Sequence, residues 1–437
     1  MIDYKVGEDM IDPIVLKGFR DSLPNEEIPK RRIMRTLEDQ FQNYGFVPID
    51  TPALEYTQVL LGKGGGETDK QIFHFQDNGG REVAMRFDLT VPFARFLALH
   101  LAELPLPFKR YHMDKVWRGE KPQKGRFREF IQCDFDIVGV DNAQADFEIL
   151  SLMDASFKKL GIEKYTFLVA HRGLFNFYLE KLGVKEESVE ILRTVDKIKK
   201  IGEEEVLKLL TEITHSEEKA QSIIAYITPE EKDSFLTRLD KLVALCGAEC
   251  ESSLRLRKIY ALLEATGIAK HFTLDPSITR GLDYYTGIVY ETILDELPQI
   301  GSVCSGGRYN NLASLYTKEL LPGVGSSIGL DRLLAALTEL NSPILANSSS
   351  VDFIIYYKEE ETAKAMQYAK RMREANINTI VYLDPNKKMK AQYEYATKNN
   401  IKFALTFNDT CLSVKNLETR ETVEYSSIEE VITQCNK

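Results

Sequence analysis

The chain has 437 residues, which is enough for about three domains. With 43% hydrophobic and 28% charged residues it has a globular composition, and no apolar run reaches the roughly 18 residues that a membrane span requires. The six cysteines are few and scattered, which predicts reduced thiols in a cytoplasmic protein. The net charge of −10 argues against nonspecific coating of nucleic acid, because that requires a basic surface.

Near the start of the chain, apolar residues at helical spacing from Ile33 to Tyr44 predict a helix that ends at Gly45. The segment that follows has the composition of a strand but carries Pro48 and Pro52. Because proline cannot donate a hydrogen bond to a sheet, we expect this strand at a sheet edge or a subunit interface.

The rest of the chain divides by pattern into three parts. Residues 1–183 and 271–340 mix helices with β-branched and aromatic runs, which predicts an α+β core. Residues 184–270 are helical and charged, as in an inserted domain. A polar linker over 341–350 precedes residues 351–437, where strands alternate with helices in the manner of a small α/β domain.

A predicted hairpin in the core carries several arginines. Arg118 follows an apolar strand, and Arg126 and Arg128 lie between a polar loop and the next strand. The planar guanidinium suits phosphate oxygens, and Phe127 or Phe130 offers a face to a nucleotide base. The hairpin therefore predicts triphosphate binding, although a solvated hairpin with surface charges explains this segment alone equally well.

Two later segments favour the ligand-binding interpretation. Residues 279–287 place Arg280 and two tyrosines at a turn before a strand. Residues 323–334 form a glycine-rich strand that runs into an amphipathic helix, with Arg332 near the helix start. Small residues allow a ligand to approach the backbone, and the N-terminus of a helix favours phosphate.

Three other motifs are weak. The glycines at 62–66 lack the Lys-Ser/Thr of a P-loop, and their composition is typical of a mobile lid. Ser327 lies in a Gly-x-Ser-x-Gly sequence, but no histidine follows His271 to serve as its base. Cys246 and Cys250 have the wrong spacing for zinc and are better explained as buried thiols.

These segments together resemble the three signature motifs of class II aminoacyl-tRNA synthetases. The part that includes Pro52 resembles motif 1, residues 118–136 resemble motif 2 and residues 323–334 resemble motif 3. The sequences at 86–95, 280–285 and 305–309 resemble signatures of the histidyl-tRNA synthetase family. The resemblance implies an antiparallel sheet flanked by helices, a helical insertion, a C-terminal α/β anticodon-binding domain, and a homodimer with motif 1 at its interface.

The resemblance also implies the reaction: ATP with Mg²⁺ activates L-histidine to an adenylate, and the histidyl group passes to tRNA(His). No residue of the chain is expected to bind a metal directly, because ATP carries the Mg²⁺. Arg118 and Arg280 are implied to be catalytic. The residues implied to bind ATP are Arg118, Glu120, Arg126, Phe130 and Arg332. The residues implied to bind histidine are Asp88, Leu89, Thr90, Arg118, Gln132, Asp136, Arg280, Tyr284, Tyr285 and Tyr309.

The chain departs from the commoner bacterial pattern at Asp88, where many bacterial members carry glutamate. A carboxylate that is one methylene shorter puts the contact geometry in question while leaving the chemistry unchanged. The acidic net charge further predicts that tRNA is bound through local cations and is therefore salt-sensitive. These cations include Arg371, Arg373, Lys387, Lys388 and Lys390.

Two alternatives compete with this interpretation. The first is a catalytically silent, synthetase-like subunit that regulates histidine biosynthesis; such proteins usually lack the C-terminal domain and lose catalytic arginines. The second is a class II synthetase for another amino acid, which would not be expected to carry the sequence found at 280–285. This chain retains the arginines, that sequence and residues 351–437.

Overall fold

A computed structural model describes residues 11–62, 71–122, 125–228, 230, 232–279, 284–346 and 349–435. Two compact units are present. The first comprises the chain up to Asp21 together with Ile33–Ser342, and the second comprises Ser22–Arg32 together with the chain from Pro343 onward. Among the described residues no helix is both long and apolar enough to cross a membrane.

The chain forms strands and helices of ordinary length. The strands are β1 Val47–Pro48, β2 Leu54–Tyr56, β3 His74–Gln76, β4 Glu82–Met85, β5 Phe108–Trp117, β6 Glu129–Val138, β7 Tyr165–His171, β8 Phe272–Leu274, β9 Ile288–Leu294, β10 Cys304–Tyr309, β11 Gly323–Gly329, β12 Phe353–Ile355, β13 Thr379–Val381, β14 Phe403–Phe407, β15 Leu412–Asn416 and β16 Thr422–Tyr425. The helices are α1 Pro24–Asn43, α2 Thr57–Leu61, α3 Thr90–His100, α4 Ala143–Lys159, α5 Arg172–Lys181, α6 Ser188–Val195, α7 Ile198–Ile201, α8 Glu203–Thr214, α9 Glu217–Ile227, α10 Phe235–Cys246, α11 Glu251–Ala265, α12 Leu330–Glu339, α13 Thr362–Glu374, α14 Met389–Lys398 and α15 Ile428–Cys435.

An eight-stranded sheet organises the first unit, in the order β1-β5-β6-β11-β10-β9-β7-β8. The six inner strands pair antiparallel, and the short strands β1 and β8 add in parallel at the two edges. This confirms the predicted α+β core with an antiparallel sheet. A separate three-stranded sheet, β2-β4-β3, lies in the same unit and was not predicted.

The proline-bearing segment after α1 divides into two strands in different sheets. The helix ends as predicted, since Gly45 takes a positive φ of 76° and closes the last turn. Pro48 then pairs with Tyr111 at the edge of the large sheet, and Leu54 begins an outer strand of the small sheet. The predicted edge position is therefore correct, but the single continuous strand is wrong.

Two predicted supersecondary structures are confirmed in the large sheet. Strands β5 and β6 form a ten-residue antiparallel pair whose open end carries Arg118 and Arg126. Strand β11 pairs with β6 and runs directly into α12, which contains Arg332. The arginines near the hairpin and the start of α12 are consequently brought to one end of the same sheet.

The second unit is built on a five-stranded sheet in the order β13-β12-β14-β15-β16. Strand β12 is buried on both faces, because Ile355 packs with α13 and α15 while Ile354 packs with α14. That two-sided burial explains why its sequence is a continuous apolar run. The sequence pattern located β12, β13 and β14 but not β15, β16 and α15, whose strands alternate with polar residues and are partly exposed.

A buried ionic cluster ties the sheet to two helices of the first unit. Arg308 in β10 donates through Nε to Oδ1 of Asp146 in α4 at 2.8 Å, and Arg255 of α11 donates to the other oxygen of Asp146 at 2.5 Å. Arg308 and Asp146 are both almost fully buried. The buried Asp146 carboxylate thus compensates two guanidinium groups, to which the partly exposed Asp141 adds a second carboxylate.

We predict that Asp146→Asn destabilises the first unit by about 3–5 kcal/mol, because the buried Arg308 guanidinium then keeps only the partly exposed Asp141 as a carboxylate partner. The measurement is the thermal or urea unfolding of the full chain. Glu296→Gln is the matched control, since Glu296 pairs with Lys164 on an exposed surface. Equal melting temperatures for the two variants would contradict the assigned role of the cluster.

Candidate active site

The large sheet carries a cavity of about 410 Å³ on one face. Strands β6, β9, β10 and β11 form its floor, and the mouth of the β5–β6 hairpin, the start of α3 and the start of α12 form its walls. A volume of this size is typical of sites for small molecules and cofactors. The predicted site residues that line it are Asp88, Thr90, Arg118, Glu120, Arg126, Phe130, Gln132, Asp136, Tyr284, Tyr285, Tyr309 and Arg332.

Strand alternation explains how one sheet supplies so many polar groups. Gln132, Asp134 and Asp136 are two residues apart in β6, so their side chains lie on the same face. Space for them comes from the neighbouring strand, where a Cβ on Gly325 would stand only 1.8 Å from Oδ1 of Asp136. Any larger residue at position 325 would displace the Asp136 carboxylate.

Asp136 is held at the closed end of the cavity by two partners. Its Oδ1 accepts a hydrogen bond from the Tyr309 hydroxyl at 2.6 Å, and its Oδ2 lies 2.7 Å from Nη2 of Arg110. Burial raises the pKa of Asp136, whereas Arg110 opposes that change. Arg110 also donates to the carbonyl of Leu89 at 3.2 Å. The Leu89 side chain is buried outside the cavity, so this predicted residue takes part through its backbone.

Asp88 is fixed by the beginning of α3. Its Oδ1 accepts from the backbone N–H of Val91 at 3.0 Å, and its Oδ2 accepts from the Tyr284 hydroxyl at 3.3 Å. Burial raises the pKa of Asp88, while the Val91 amide and then Arg118 act in the opposite direction. Although the Asp88 side chain is one methylene shorter than glutamate, its carboxylate reaches a backbone N–H in the first turn of α3.

A third carboxyl group, Asp134, lies between these two and was not predicted. Burial raises its pKa to about 7, and Asp136 and Asp88 add to the effect while Arg110 opposes it. Its Oδ2 accepts from the Thr90 hydroxyl at 3.5 Å. The signal was present in the sequence, because Asp134 falls on the same two-residue period as the predicted Gln132 and Asp136.

The opposite end of the cavity is basic. Arg118 donates through Nε to the carbonyl of Phe87 at 2.9 Å, and its guanidinium lies 5.2 Å from the centre of the Phe130 ring. Arg126 lies 3.9 Å from the Glu120 carboxylate. Arg128, which the hairpin sequence also suggested, instead donates to the backbone carbonyl of Glu120 and does not line the cavity.

Arg332 brings a third guanidinium to this end. Its Nη1 donates to the carbonyl of Ser302 at 2.5 Å. Burial lowers the pKa of Arg332 to about 10, and the positive charges of Arg126 and Arg118 contribute to that shift. Three cations therefore repel one another across a small space, which is the electrostatic condition of a site for a polyanion.

The neighbour of Arg332 fixes the orientation of α12. One oxygen of Asp331 accepts from the backbone N–H of Ile131 at 2.8 Å, and the other accepts from Arg20 at 2.7 Å. Asp331 is buried, and its bond to the Ile131 amide attaches the start of α12 to strand β6. The position of the Arg332 guanidinium is thus determined by the sheet.

Two predicted features lie outside the described residues. Arg280 belongs to the segment 280–283, and the glycines at 63–66 belong to the segment 63–70. The residue next to the first segment is described: Tyr284 packs edge-on against Tyr309, with ring centres 5.9 Å apart.

One group of possible metal ligands lies away from the cavity. Asp50, His112 and Asp114 bring donor atoms within 4.8 Å of one another. Arg86 already occupies this group, because its guanidinium is 2.5 Å from Asp114 and 4.0 Å from Asp50. Burial and the charges of Arg110 and Arg86 lower the pKa of His112 to about 3, so the ring is neutral. The positive charge that balances these two carboxylates is therefore the Arg86 guanidinium.

Comparisons with known proteins agree with the geometry. The family model described as histidyl-tRNA synthetase matches residues 18–333, and the anticodon binding domain model matches residues 352–437. A histidine–tRNA ligase of Treponema denticola is 54% identical over 92% of this chain and 91% of its own length. That of Rhodopirellula baltica is 43% identical over 95% and 96%.

Solved structures give the same result. The crystal structure of histidyl-tRNA synthetase from Nostoc sp. PCC 7120 superimposes with a TM-score of 0.86 at 29% identity, covering 98% of this chain and 100% of the other. The regulatory-subunit alternative is not favoured, because these relatives are named as ligases and match this chain over most of their length. The chain therefore belongs to the histidyl-tRNA synthetase family, and its activity is the ligation of histidine to tRNA.

Proposed function

We propose that the cavity is the site where histidine and ATP react to form histidyl-adenylate, before the histidyl group passes to the terminal ribose of tRNA(His). In the first step a carboxylate oxygen of histidine attacks the α-phosphorus, the Pα–O bond to the leaving group breaks, and pyrophosphate leaves. No covalent bond to the protein is needed. Catalysis then consists of positioning the two substrates and stabilising charge in the transition state.

The observation that carries the proposal is the charge separation within one cavity. Arg118, Arg126 and Arg332 surround one end, and buried carboxyl groups surround the other. A triphosphate supplies the anion that the basic end lacks. The ammonium and imidazole groups of histidine supply donors to the acidic end. The two substrates would meet near Arg118, which is close to both ends.

The proposed roles at the basic end follow from the family resemblance and are compatible with the contacts. Arg118 would hold the α-phosphate and the histidine carboxylate, and Phe130, over which its guanidinium lies, would stack on adenine. Glu120 would meet the adenine edge. Arg126 and Arg332 would hold the γ-phosphate, with Mg²⁺ brought by the nucleotide neutralising the remaining charge.

At the acidic end, Asp88, Thr90 and Gln132 would bind the α-amino group, while Asp136, Tyr284, Tyr285 and Tyr309 would enclose the ring. A neutral imidazole presents one donor and one acceptor. A pocket that pairs both leaves buried partners unsatisfied with any other side chain, which gives strong discrimination without an editing step. The hydrogen bond from Tyr309 to Asp136 supports this arrangement, because it keeps the carboxylate in a fixed orientation.

The remaining proposals concern the whole molecule. Residues 1–183 and 271–340 would form the catalytic core, residues 184–270 the helical insertion domain and residues 351–437 the anticodon-binding domain. The protein would act as a cytoplasmic homodimer with the proline-bearing edge at its interface. Of the cations expected to contact tRNA, Arg371 pairs with Glu429 and Arg373 donates to the Thr379 carbonyl. Lys387 and Lys390 pair more loosely, with Asp384 at 3.9 Å and Glu394 at 4.0 Å, so all of these cations would exchange local partners for phosphate.

The amino acid specificity is tested by exchange of labelled pyrophosphate into ATP with each of the twenty amino acids. We predict exchange with histidine alone, because its imidazole matches the donors and acceptors of the acidic end. Exchange with a different amino acid would change the assigned substrate. A protein that binds histidine but catalyses no exchange would contradict the proposed reaction.

Arg332→Ala should lower the rate of histidine-dependent exchange by about 10²–10³-fold, because it removes a fixed cation from the phosphate-binding end. The matched control is Arg81→Ala, since Arg81 is exposed, lies outside the cavity lining and forms its ion pair with Asp77. The melting temperatures of both variants show whether each is folded. Normal exchange by a folded Arg332→Ala protein would reject the role given to this residue.

Arg280→Ala is predicted to abolish nearly all exchange while leaving the protein folded. The family resemblance puts Arg280 beside the α-phosphate, where its charge would stabilise the transition state more than the bound substrates. Exchange kinetics and circular dichroism of the purified variant are the measurements. Loss of the rate without loss of the fold is expected, and near-normal kinetics would remove Arg280 from the mechanism.

A further inference from the structure

The acidic end of the cavity has more negative groups than the histidine-binding roles require. Asp136 is compensated by Arg110 at 2.7 Å, and Asp88 is bonded to the Val91 amide and the Tyr284 hydroxyl. Asp134 lies near both, is 1% exposed, and receives a long contact from Thr90 at its Oδ2, while the Ser327 hydroxyl also favours its ionised form. Among the described residues, Oδ1 of Asp134 has no hydrogen-bond partner.

A buried carboxyl oxygen without a partner is costly unless a ligand supplies one. The Asp134 side chain faces the cavity floor, because Asp134 is directly opposite Ser327 in β11 and both residues line the cavity. Gln132, the predicted ligand of the α-amino group, donates to the same Ser327 hydroxyl at 2.7 Å. Asp134 and Gln132 therefore flank one point of the cavity floor.

We propose that Asp134 is a further substrate-binding residue, and that its carboxylate receives the α-ammonium group of histidine together with Asp88. The inference rests on the proposed function of the cavity and adds a residue that the family resemblance did not indicate. An ammonium group has three donors and one positive charge, so it can satisfy two carboxylates and an amide oxygen together. The buried Oε1 of Gln132, which has no partner among the described residues, completes that set.

The surroundings of Asp134 define its charge state before the substrate binds. The neighbouring strand β5 contributes Arg110 and His112, of which Arg110 is paired with Asp136 and His112 is neutral at physiological pH. The groups that face Asp134 from the other elements are Asp136 and Gln132 of β6, Ser327 of β11, Cys304 of β10, Asp88 and Thr90 at the start of α3, and Tyr284 and Tyr285 before β9.

These groups hold the pKa of Asp134 at about 7, so the free protein carries a proton there in part at neutral pH. An incoming ammonium group favours the ionised carboxylate and lowers that pKa. Binding of histidine is therefore linked to release of the proton from Asp134, and affinity for histidine falls as the pH drops below about 7.

The decisive experiment is titration calorimetry of the full-length protein with histidine in buffers of different ionisation enthalpy. At pH 7 we expect release of about 0.5 proton per site from Asp134, and close to none at pH 8, where Asp134 is already ionised and the α-amino group of free histidine is still protonated. The ligand 1,2,4-triazolylalanine is used in parallel, because its weakly basic ring does not titrate in this range and removes the contribution of imidazole. Proton release that is absent with the analogue at pH 7 would overturn the proposal, and this measurement requires no variant.

Asp134→Asn provides the second test, since it preserves the shape of the side chain and removes its charge. We expect the KM for histidine to rise by about 10–100-fold in the exchange reaction, as for loss of a hydrogen bond to a charged group. We also expect the variant to lose the decline in affinity below pH 7. Asp295→Asn is the control, because Asp295 is exposed at the end of β9 and bonds to Thr166.

The outcomes separate this inference from the proposed function. If the unmodified protein catalyses histidine-dependent exchange and Asp134→Asn keeps the same KM and pH profile, the role of Asp134 is wrong and the reaction stands. If the unmodified protein fails to activate histidine at all, the proposed reaction itself fails. A higher KM with an unchanged pH profile would indicate a purely structural residue and would also contradict the proposal.

Discussion

Charge of opposite sign, held apart at the two ends of one cavity, is the constraint on which this candidate active site depends. Burial and the charges of Arg126 and Arg118 lower the pKa of Arg332 at one end, and burial together with Asp136 and Asp88 raises the pKa of Asp134 at the other. Neither end can relax, because the residues are attached to inner strands of the sheet and to a helix that Asp331 holds against β6. The free protein is thereby less stable than a neutralised version of the same fold would be.

Because the sheet is rigid, the separated charges cannot neutralise each other and remain available to bind substrates. A flexible site would bring Arg118 into contact with the carboxylates and neutralise both ends, whereas here Arg118 is anchored to the Phe87 carbonyl and lies against Phe130. The proposed substrates are complementary to the separated charges, since histidine carries a cation at one end of its backbone and ATP carries polyphosphate. Preorganised charges of this kind need no rearrangement during the reaction, which is why they stabilise a transition state efficiently.

Much of this architecture could be predicted from the sequence, and the exceptions have identifiable causes. The β5–β6 hairpin and the β11–α12 transition were predictable because apolar alternation, turn residues and an amphipathic helix all indicated the same elements. The division of the proline-bearing segment into two sheets was not, because strands of two and three residues have too few positions for a period to be visible. Pairing between distant segments, such as β2 with β4, likewise cannot be predicted from a local sequence pattern.

The site residues show a different limit. Resemblance to a family identifies positions whose roles are shared by its members, so it indicated Gln132 and Asp136 and passed over the residue between them. Physical reasoning on the strand would have included Asp134, since a side chain two positions from each of them must lie on their face of the sheet. Its importance became visible only with the structure, which shows that Arg110 is already paired with Asp136 and that one buried oxygen of Asp134 is left without a partner among the described residues. A carboxyl group in that position is a cost in the free protein, and a positively charged ligand is the group that can offset it.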